Sequence, residues 1–269
     1  LSYVISIMST KGGVGKSTIS KFLSITFEEM GKSVCVIDLC QNGSVSTGFL
    51  RDRDAFEYTT YDWLTGACKP SEVIQQFEDS GIYYIPSNET IDDFERFAEK
   101  KFTAAKRLGS IKEKVEPLKK MFDVIIFDTH PSENSDLVSY AIAASDYCLI
   151  PLETDLDSVL GTKRSVEIIK EFMDMQELDY GIVPNKVSQT NFKLKRQLKN
   201  FIVELINEGI PKEKILSTIR YSDVISSSKN EKIMLNEYQA NKYAKKILGD
   251  FKQVATEIDT VLNRGGVQV

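Results

Sequence analysis

Histidine is almost missing from this chain: His130 is the only one among 269 residues. Catalytic schemes that need several imidazoles, and histidine-rich metal centres, are excluded by that scarcity. The four cysteines, Cys35, Cys40, Cys68 and Cys148, are widely spaced and include no Cys-x-x-Cys pair. Their spacing suggests neither a zinc site nor a disulfide framework, and a reducing compartment is expected. No run of about 18 apolar residues is present, and no basic-then-apolar leader opens the sequence, so a cytoplasmic protein without a membrane span is expected. Internal repeats, low-complexity tracts and a recognisable linker are also absent, and the sequence reads as one domain over residues 1–269.

What is present is a globular composition, 42% hydrophobic and 27% charged, enough to bury a large core. The formal charge of -5 is unevenly spread. Between Lys186 and Lys246 there are 13 Lys/Arg against 6 Asp/Glu, a balance of +7, and the remaining 21 against 33 leave -12 elsewhere. A basic region, about 186–246, is therefore carried on an acidic protein.

Short apolar runs alternate with helical stretches. Val4-Ile5-Ser6-Ile7-Met8 leads into a glycine loop and then a helix carrying Ile19, Phe22, Leu23, Ile25 and Phe27, which Gly31 closes. Ser33 to Asp38, Ile82 to Pro86, Phe122 to Asp128, Tyr147 to Leu152 and Tyr180 to Asn185 read as further strands, two of them ending in aspartate. Residues 57–66 and 70–78 read as short helices. The charged stretch 89–120 reads as helical with Phe94, Phe97, Leu108, Ile111, Val115 and Leu118 inward, and a tail at about 263–269 is expected to be loose. The alternation predicts an α/β fold: a mainly parallel twisted sheet with helices on both faces and its ligand at the carboxyl ends of the strands.

The chemistry is concentrated in Lys11-Gly12-Gly13-Val14-Gly15-Lys16-Ser17-Thr18. Backbone N–H groups of a glycine-rich turn at a helix N-terminus converge on one volume, and the helix dipole favours an anion there. The glycines let the backbone approach phosphate, Lys16 neutralises the β- and γ-phosphates, and the Ser17 hydroxyl is placed to ligate Mg²⁺. A strict GxxxxGK[ST] pattern would want glycine at Thr10, so simple pattern matching misses the loop.

The loop resembles the deviant Walker A loop of the ParA/MinD family of P-loop ATPases. The likeness is nearest to short ParA-type partition proteins that lack an N-terminal helix-turn-helix domain. By that resemblance Lys11 crosses a dimer interface to the phosphates of the partner's nucleotide, so ATP with Mg²⁺ builds a homodimer; the alternative is a solvated loop lysine. Asp128 sits where a Walker B acid holds Mg²⁺ through water, or is a strand-end turn residue. Thr129-His130-Pro131-Ser132 resembles the family's second switch segment, and His130 reads there as a switch-loop residue rather than a general base. Asp38 opens a stretch to Gly48 that resembles the first switch without a gap, but Cys40 stands where the family keeps a second aspartate. A thiol is a poor acceptor for a water proton at neutral pH, so binding of ATP is expected to survive and hydrolysis to be slow. Lys11, Lys16, Asp38 and Asp128 form the expected catalytic set, and Asn185 matches the family's adenine contact or caps its strand.

For partners, Lys186, Lys193, Lys195, Arg196, Arg220, Lys242, Lys245 and Lys246 together suggest non-specific double-stranded DNA contact, although each lysine taken singly reads better as solvated surface. Arg220 lies in Ile219-Arg220-Tyr221-Ser222-Asp223, which resembles a family segment that touches DNA. The resemblance implies plasmid or chromosome segregation on the nucleoid with a centromere-binding adaptor protein. The alternatives are a MinD-like membrane-cycling protein, for which residues 251–269 offer no good amphipathic helix, a metal-cluster reductase, for which paired cysteines are missing, and a binding-only ATP-switched scaffold.

Overall fold

The computed structural model describes residues 2–49, 55–132, 134–231 and 241–264. Seven strands lie in one sheet: β1 (Tyr3–Ile7), β2 (Val34–Leu39), β3 (Gln75–Gln76), β4 (Ile82–Ile85), β5 (Val124–Thr129), β6 (Tyr147–Leu152) and β7 (Asp179–Pro184). Their order is β3-β4-β2-β5-β1-β6-β7, parallel throughout except for the antiparallel pair β3–β4 at one edge. β1, β2, β5 and β6 are buried along their whole length. Burial on both faces is why these strands are written as continuous apolar runs.

Twelve α-helices are described: α1 (Lys16–Glu29), α2 (Ser44–Gly48), α3 (Thr60–Thr65), α4 (Pro70–Val73), α5 (Phe94–Lys101), α6 (Ala104–Leu108), α7 (Ser110–Val115), α8 (Asp136–Ala143), α9 (Leu156–Met173), α10 (Phe192–Asn207), α11 (Asp223–Glu231) and α12 (Lys242–Arg264). The two-residue period of a strand sorts side chains between them. Val36, Val124 and Ile126 join the core under α1 and α12, while Ile37, Ile125 and Phe127 join the opposite core under α3, α5, α7 and α8. Phe22 of α1 meets Phe251 of α12 with ring centroids 5.1 Å apart.

Several local expectations are corrected. Over 57–66 only Thr60–Thr65 is helical, because Thr59 and Asp62 form a reciprocal cap that sets the start. The 70–78 helix stops at Val73, and Gln75–Gln76 instead pair with β4 as an edge strand. The 89–120 stretch is a chain of short helices interrupted at Phe102, Gly109 and Pro117; Phe94, Ile111, Val115 and Leu118 are buried, while Phe97 and Leu108 are half-buried. Helix α12 runs through Asn263 and Arg264, which the sequence reading placed in a loose tail; residues 265–269 lie outside the described residues. The same helix is amphipathic after all, but Ala244, Ile247, Phe251, Val254, Ala255 and Ile258 seat its apolar face in the core against α1. No helix among the described residues is long and apolar enough to cross a membrane.

Candidate functional site

The parallel pairing of β2, β5 and β1 determines what meets at the strand ends. Asp38 of β2 lies opposite Asp128 of β5, which lies opposite Ile7, the last residue of β1 before the glycine loop. The loop then turns into α1 through Gly13 (φ 78°) and Gly15 (φ 94°), in the left-handed region that glycine tolerates. At Gly15 a second reason applies: a Cβ would stand 2.6 Å from Asn185 Nδ2. The N-terminus of α1 has no side-chain cap, so its first N–H groups face the cavity without a partner from the N-cap residue.

A cavity of about 490 Å³ opens above the loop, lined among others by Gly13, Gly15, Lys16, Ser17 and Thr18. Lys16 is 7% exposed, and burial lowers its pKa, an effect that Cys40 and Asp128 partly reverse. Asp38 and Asp128 are wholly buried behind the cavity. Asp38 accepts backbone N–H bonds from Cys40 and Val45, each 2.8 Å. Asp128 Oδ1 accepts from the Ser20 hydroxyl at 3.0 Å, whereas its Oδ2 is buried with no hydrogen-bond partner. Burial pushes both carboxyls up, and for Asp38 the neighbouring Asp128 adds to the push; for Asp128 the nearby Ser17 and Ser20 hydroxyls and Lys16 pull the other way. An orphaned buried carboxylate oxygen on Asp128, with the Ser17 hydroxyl near that carboxylate, fits a divalent cation. The residues present thus suit a nucleotide phosphate with Mg²⁺, with Ser17 and Asp128 as the holders of the ion.

Cys40 lines the cavity, and its Sγ donates a weak hydrogen bond to the Asp128 carbonyl at 3.5 Å. Burial raises the thiol pKa well above its usual value, and Asp128 and Asp38 raise it further. His130 and Pro131 line the same cavity, and His130 Nδ1 is buried without a partner.

Not every expected site residue faces the cavity. Lys11 points away from its own phosphate volume and pairs with Asp155 at 2.6 Å, both side chains partly exposed. Gly161 of α9 makes that approach possible, since a Cβ there would meet Thr10 Oγ1 at 3.0 Å and Lys11 Cβ at 3.4 Å. Asn185, expected at adenine, donates its amide to the Val14 carbonyl at 2.8 Å and so props the loop from beneath. Two expected DNA residues also move. Lys186 donates to the Gly13 carbonyl and pairs with Glu153, each at 2.6 Å, because a positive φ of 53° turns it onto the loop. Arg220 closes two bonds on Asp250 of α12, both 2.6 Å, with Asp250 also accepting the Arg220 backbone N–H. Both cations are thus committed to partners within the chain, although the Lys186 side chain remains exposed.

The remaining cations do stand outward. Lys193 and Arg196 on the first turns of α10 are exposed and Lys195 is half-buried, while Glu204 of the same helix and Glu208 at its C-cap are engaged by Lys163 of α9 at 2.7 and 2.8 Å. Lys242, Lys245 and Lys246 are exposed on α12. Exposed aromatic rings adjoin both groups: Phe192 is 84% exposed beside Lys193, and Lys242 lies over the ring of Tyr243. Sequence reasoning missed Ser20, Asp155, Lys21 and Ile225, the last two lining the cavity. Ser20 alone had a signal, one helical turn beyond Lys16 on the face turned to Asp128.

Comparison with known proteins adds to this geometry. A family model described as an AAA domain matches residues 2–182. An uncharacterized protein of Pseudomonas putida is 28% identical over 170 residues, and the chain spans 63% of that relative's length and 63% of its own. A ParA family protein of Mycoplasma pneumoniae is 27% identical over 281 residues, covering 97% of this chain and 99% of that one. Among solved structures, the ATP complex of McdA from Cyanothece superposes with a TM-score of 0.81 at 18% identity, covering 96% of each chain. A plasmid partition protein of Borrelia burgdorferi bound to AMPPNP gives 0.76 at 21% identity, covering 97% of this chain and 100% of that one. Cobyrinic acid a,c-diamide synthase of Mycobacterium smegmatis, bound to ADP and magnesium, gives 0.78 at 19% identity over 99% and 96%. At these identities the structures establish a shared fold.

Proposed function

Because the chain belongs to the AAA-domain family of ParA/MinD-like P-loop NTPases, we propose that it is an ATP-dependent dimerising partition ATPase. In this reading it binds double-stranded DNA without sequence preference and segregates a plasmid or chromosome with a centromere-binding adaptor protein. The observation that carries the reading is the division of labour between two lysines of one loop. Lys16 is buried in the cavity, whereas Lys11 is absent from the cavity lining and is paired with Asp155 at a partly exposed position, a pairing it would exchange for the phosphates of a second protomer's nucleotide.

The N–H groups of Gly12 to Thr18 and the Lys16 ammonium would bind and orient the triphosphate, and Ser17, with Asp128 through water, would hold Mg²⁺, which would supply neutralisation of phosphate charge. Asn185 and Lys186 keep the loop in shape through the Val14 and Gly13 carbonyls. Asp38 orders the first switch by accepting the Cys40 and Val45 N–H groups. No carboxylate stands at position 40 to receive a proton from attacking water, and the buried thiol is a weak acceptor, so intrinsic turnover is slow and depends on a partner. The same thiol favours a second reading, a scaffold that binds ATP without hydrolysing it.

DNA is preferred to membrane because the apolar face of α12 is already packed on α1, while exposed cations beside exposed aromatics on α10 and α12 suit phosphate backbone. In this reading the protein works on the nucleoid in the cytoplasm. The test is a gel shift on unrelated duplex DNA with and without ATP at low salt, alongside light scattering for the dimer. An ATP-dependent shift and dimer, both lost in Lys11→Ala, are expected; no ATP-dependent shift sinks the DNA reading. Cys40→Asp is expected to raise turnover, and brisk turnover by the unaltered protein alone would overturn the slow-hydrolysis reading.

A further inference from the structure

We propose that Phe192 is a wedge that enters the base stack of duplex DNA while the cations around it hold the phosphates, so that the protein unstacks and bends the DNA it binds. The inference rests on the DNA reading above and gives that surface a preference for deformable duplex, whatever its sequence.

The chain has 14 Phe, 11 Tyr and one Trp. Among the described residues only Phe192, Tyr221 and Tyr243 are exposed aromatic side chains, at 84%, 55% and 55%, and all three fall inside the basic region. Phe192 is the extreme case because of where α10 puts it. The helix buries Leu198 and Leu205, whereas Phe192, Arg196, Lys199 and Val203 follow at helical spacing along its outer face, all exposed. No acid stands in the first turn, and Glu204 and Glu208 further along are taken up by Lys163. The ring is also fixed from behind. Asn191 caps the helix by accepting the Leu194 N–H at 3.2 Å, and donates its own N–H to Ser188 Oγ at 3.1 Å. Just before it, the Val187 N–H donates to the Ile219 carbonyl at 3.1 Å and the Val187 carbonyl accepts the Tyr221 N–H at 2.9 Å. The most exposed ring therefore stands on an anchored helix start, with the backbone of Tyr221 tied to the same segment.

A lone exposed ring is ordinary on a protein surface; one set in a stripe of cations without an acid calls for a polyanion that also has an apolar interior. Duplex DNA offers both complements together: rows of phosphates for Lys193, Lys195, Arg196 and Lys199, and a base stack between them for the ring. Unstacking one step is costly, and the phosphate contacts that a bend permits offset it. The cost is lower at pyrimidine–purine steps and at mismatched pairs, which is the origin of the preference. An anionic membrane would also receive cations and a ring, but an inserting helix presents a broad apolar face to lipid, and α10 turns Leu198 and Leu205 to the core.

The experiment uses the full chain with a non-hydrolysable ATP analogue and a short duplex carrying 2-aminopurine at a central TA step and a dye at each end. Binding is expected to raise the fluorescence of the unstacked probe and to bring the two dyes closer. Phe192→Ala should abolish both signals and weaken binding about 10-fold or more, yet leave the slope of log affinity against log salt unchanged, because the ring neutralises no phosphate. Phe192→Trp should keep both signals. A duplex with a central mismatch should bind more tightly than its paired counterpart, and Phe192→Ala should lose that advantage. The ring is exposed, so the urea midpoint of Phe192→Ala should not move, and the probe signals of the unsubstituted protein decide the matter in any case. Binding without an unstacking signal, or an affinity unchanged in Phe192→Ala, overturns the inference. So does a Phe192→Ala protein that keeps its duplex binding but loses the ATP dimer in light scattering, or loses binding to anionic vesicles, since the ring would then serve a second copy or lipid. If the unsubstituted protein binds no duplex, the DNA reading falls; if it binds duplex with a steep salt slope and no unstacking, only this inference falls.

Discussion

The glycine loop and the two basic helices hold positive charge in opposite ways. Lys16 is almost sealed from water beside Cys40 and Asp128, while Lys193, Arg196, Lys242, Lys245 and Lys246 stand in solvent. A buried cation acts over a short distance in a weakly screening medium, so its loss is close to all-or-none. Exposed cations act together through a screened field, and each removal is a graded, salt-dependent loss. Arg220 shows that charge balance along a sequence does not separate the two, for it lies in the basic region yet is bound up with Asp250.

The sharpest way to break this contrast is Lys16→Ala, which should cost about 2–5 kcal/mol of ATP·Mg²⁺ binding, at least about 30-fold, by calorimetry. An affinity within threefold of the original would remove the loop's special status. Next is Arg220→Ala, expected to lower stability in urea by about 1.5–3 kcal/mol, as loss of hydrogen bonds to a charged partner does. If it instead weakens DNA binding with stability intact, Arg220 belongs with the outer cations. The triple change Lys193→Ala, Lys195→Ala and Arg196→Ala should leave stability within about 0.5 kcal/mol and reduce the slope of log affinity against log salt by about 2–3. An unchanged slope would take α10 out of the DNA surface.

The smallest effect concerns pH. Asp259 of α12 accepts from the Tyr3 hydroxyl at 2.5 Å and pairs with Lys32 at 2.7 Å. Burial raises its pKa, but those bonds outweigh burial and hold it below the usual carboxylate value. A carboxyl depressed on folding adds stability above its unfolded pKa of about 3.9, and the gain disappears as pH falls through the lower folded value. Asp259→Asn should therefore cost under about 1 kcal/mol at pH 7 and nothing at the acid end of a urea-against-pH series. An equal cost at both ends would assign the contact to packing instead of charge.

Much of the sheet was legible because strands buried on both faces are continuous apolar runs, and Val124 to Phe127 admits no other reading. The phosphate loop was legible because a strand, three glycines, Lys16 and Ser17 follow one another without interruption. Helix ends were less so: Thr59 with Asp62 and Pro70 fix boundaries through side-chain caps and ring geometry that periodicity does not register. The companions of the site were hidden for another reason. Asp155 reaches Lys11, Lys186 reaches Gly13 and Asp250 reaches Arg220 across the fold, and such pairings depend on where strands end in space.

The central place of β1 has a consequence in time. Tyr3 to Ile7 pair with Val124 to Asp128 on one side, and Ile5 to Ile7 with Tyr147 to Leu149 on the other, while α1 is covered by the late helix α12. The strand that leads into the loop is therefore flanked only after β5 and β6 are made, and its helix is covered only after α12. Such distant closures slow folding, and the nucleotide cradle stays unfinished until β5, β6 and α12 have followed it.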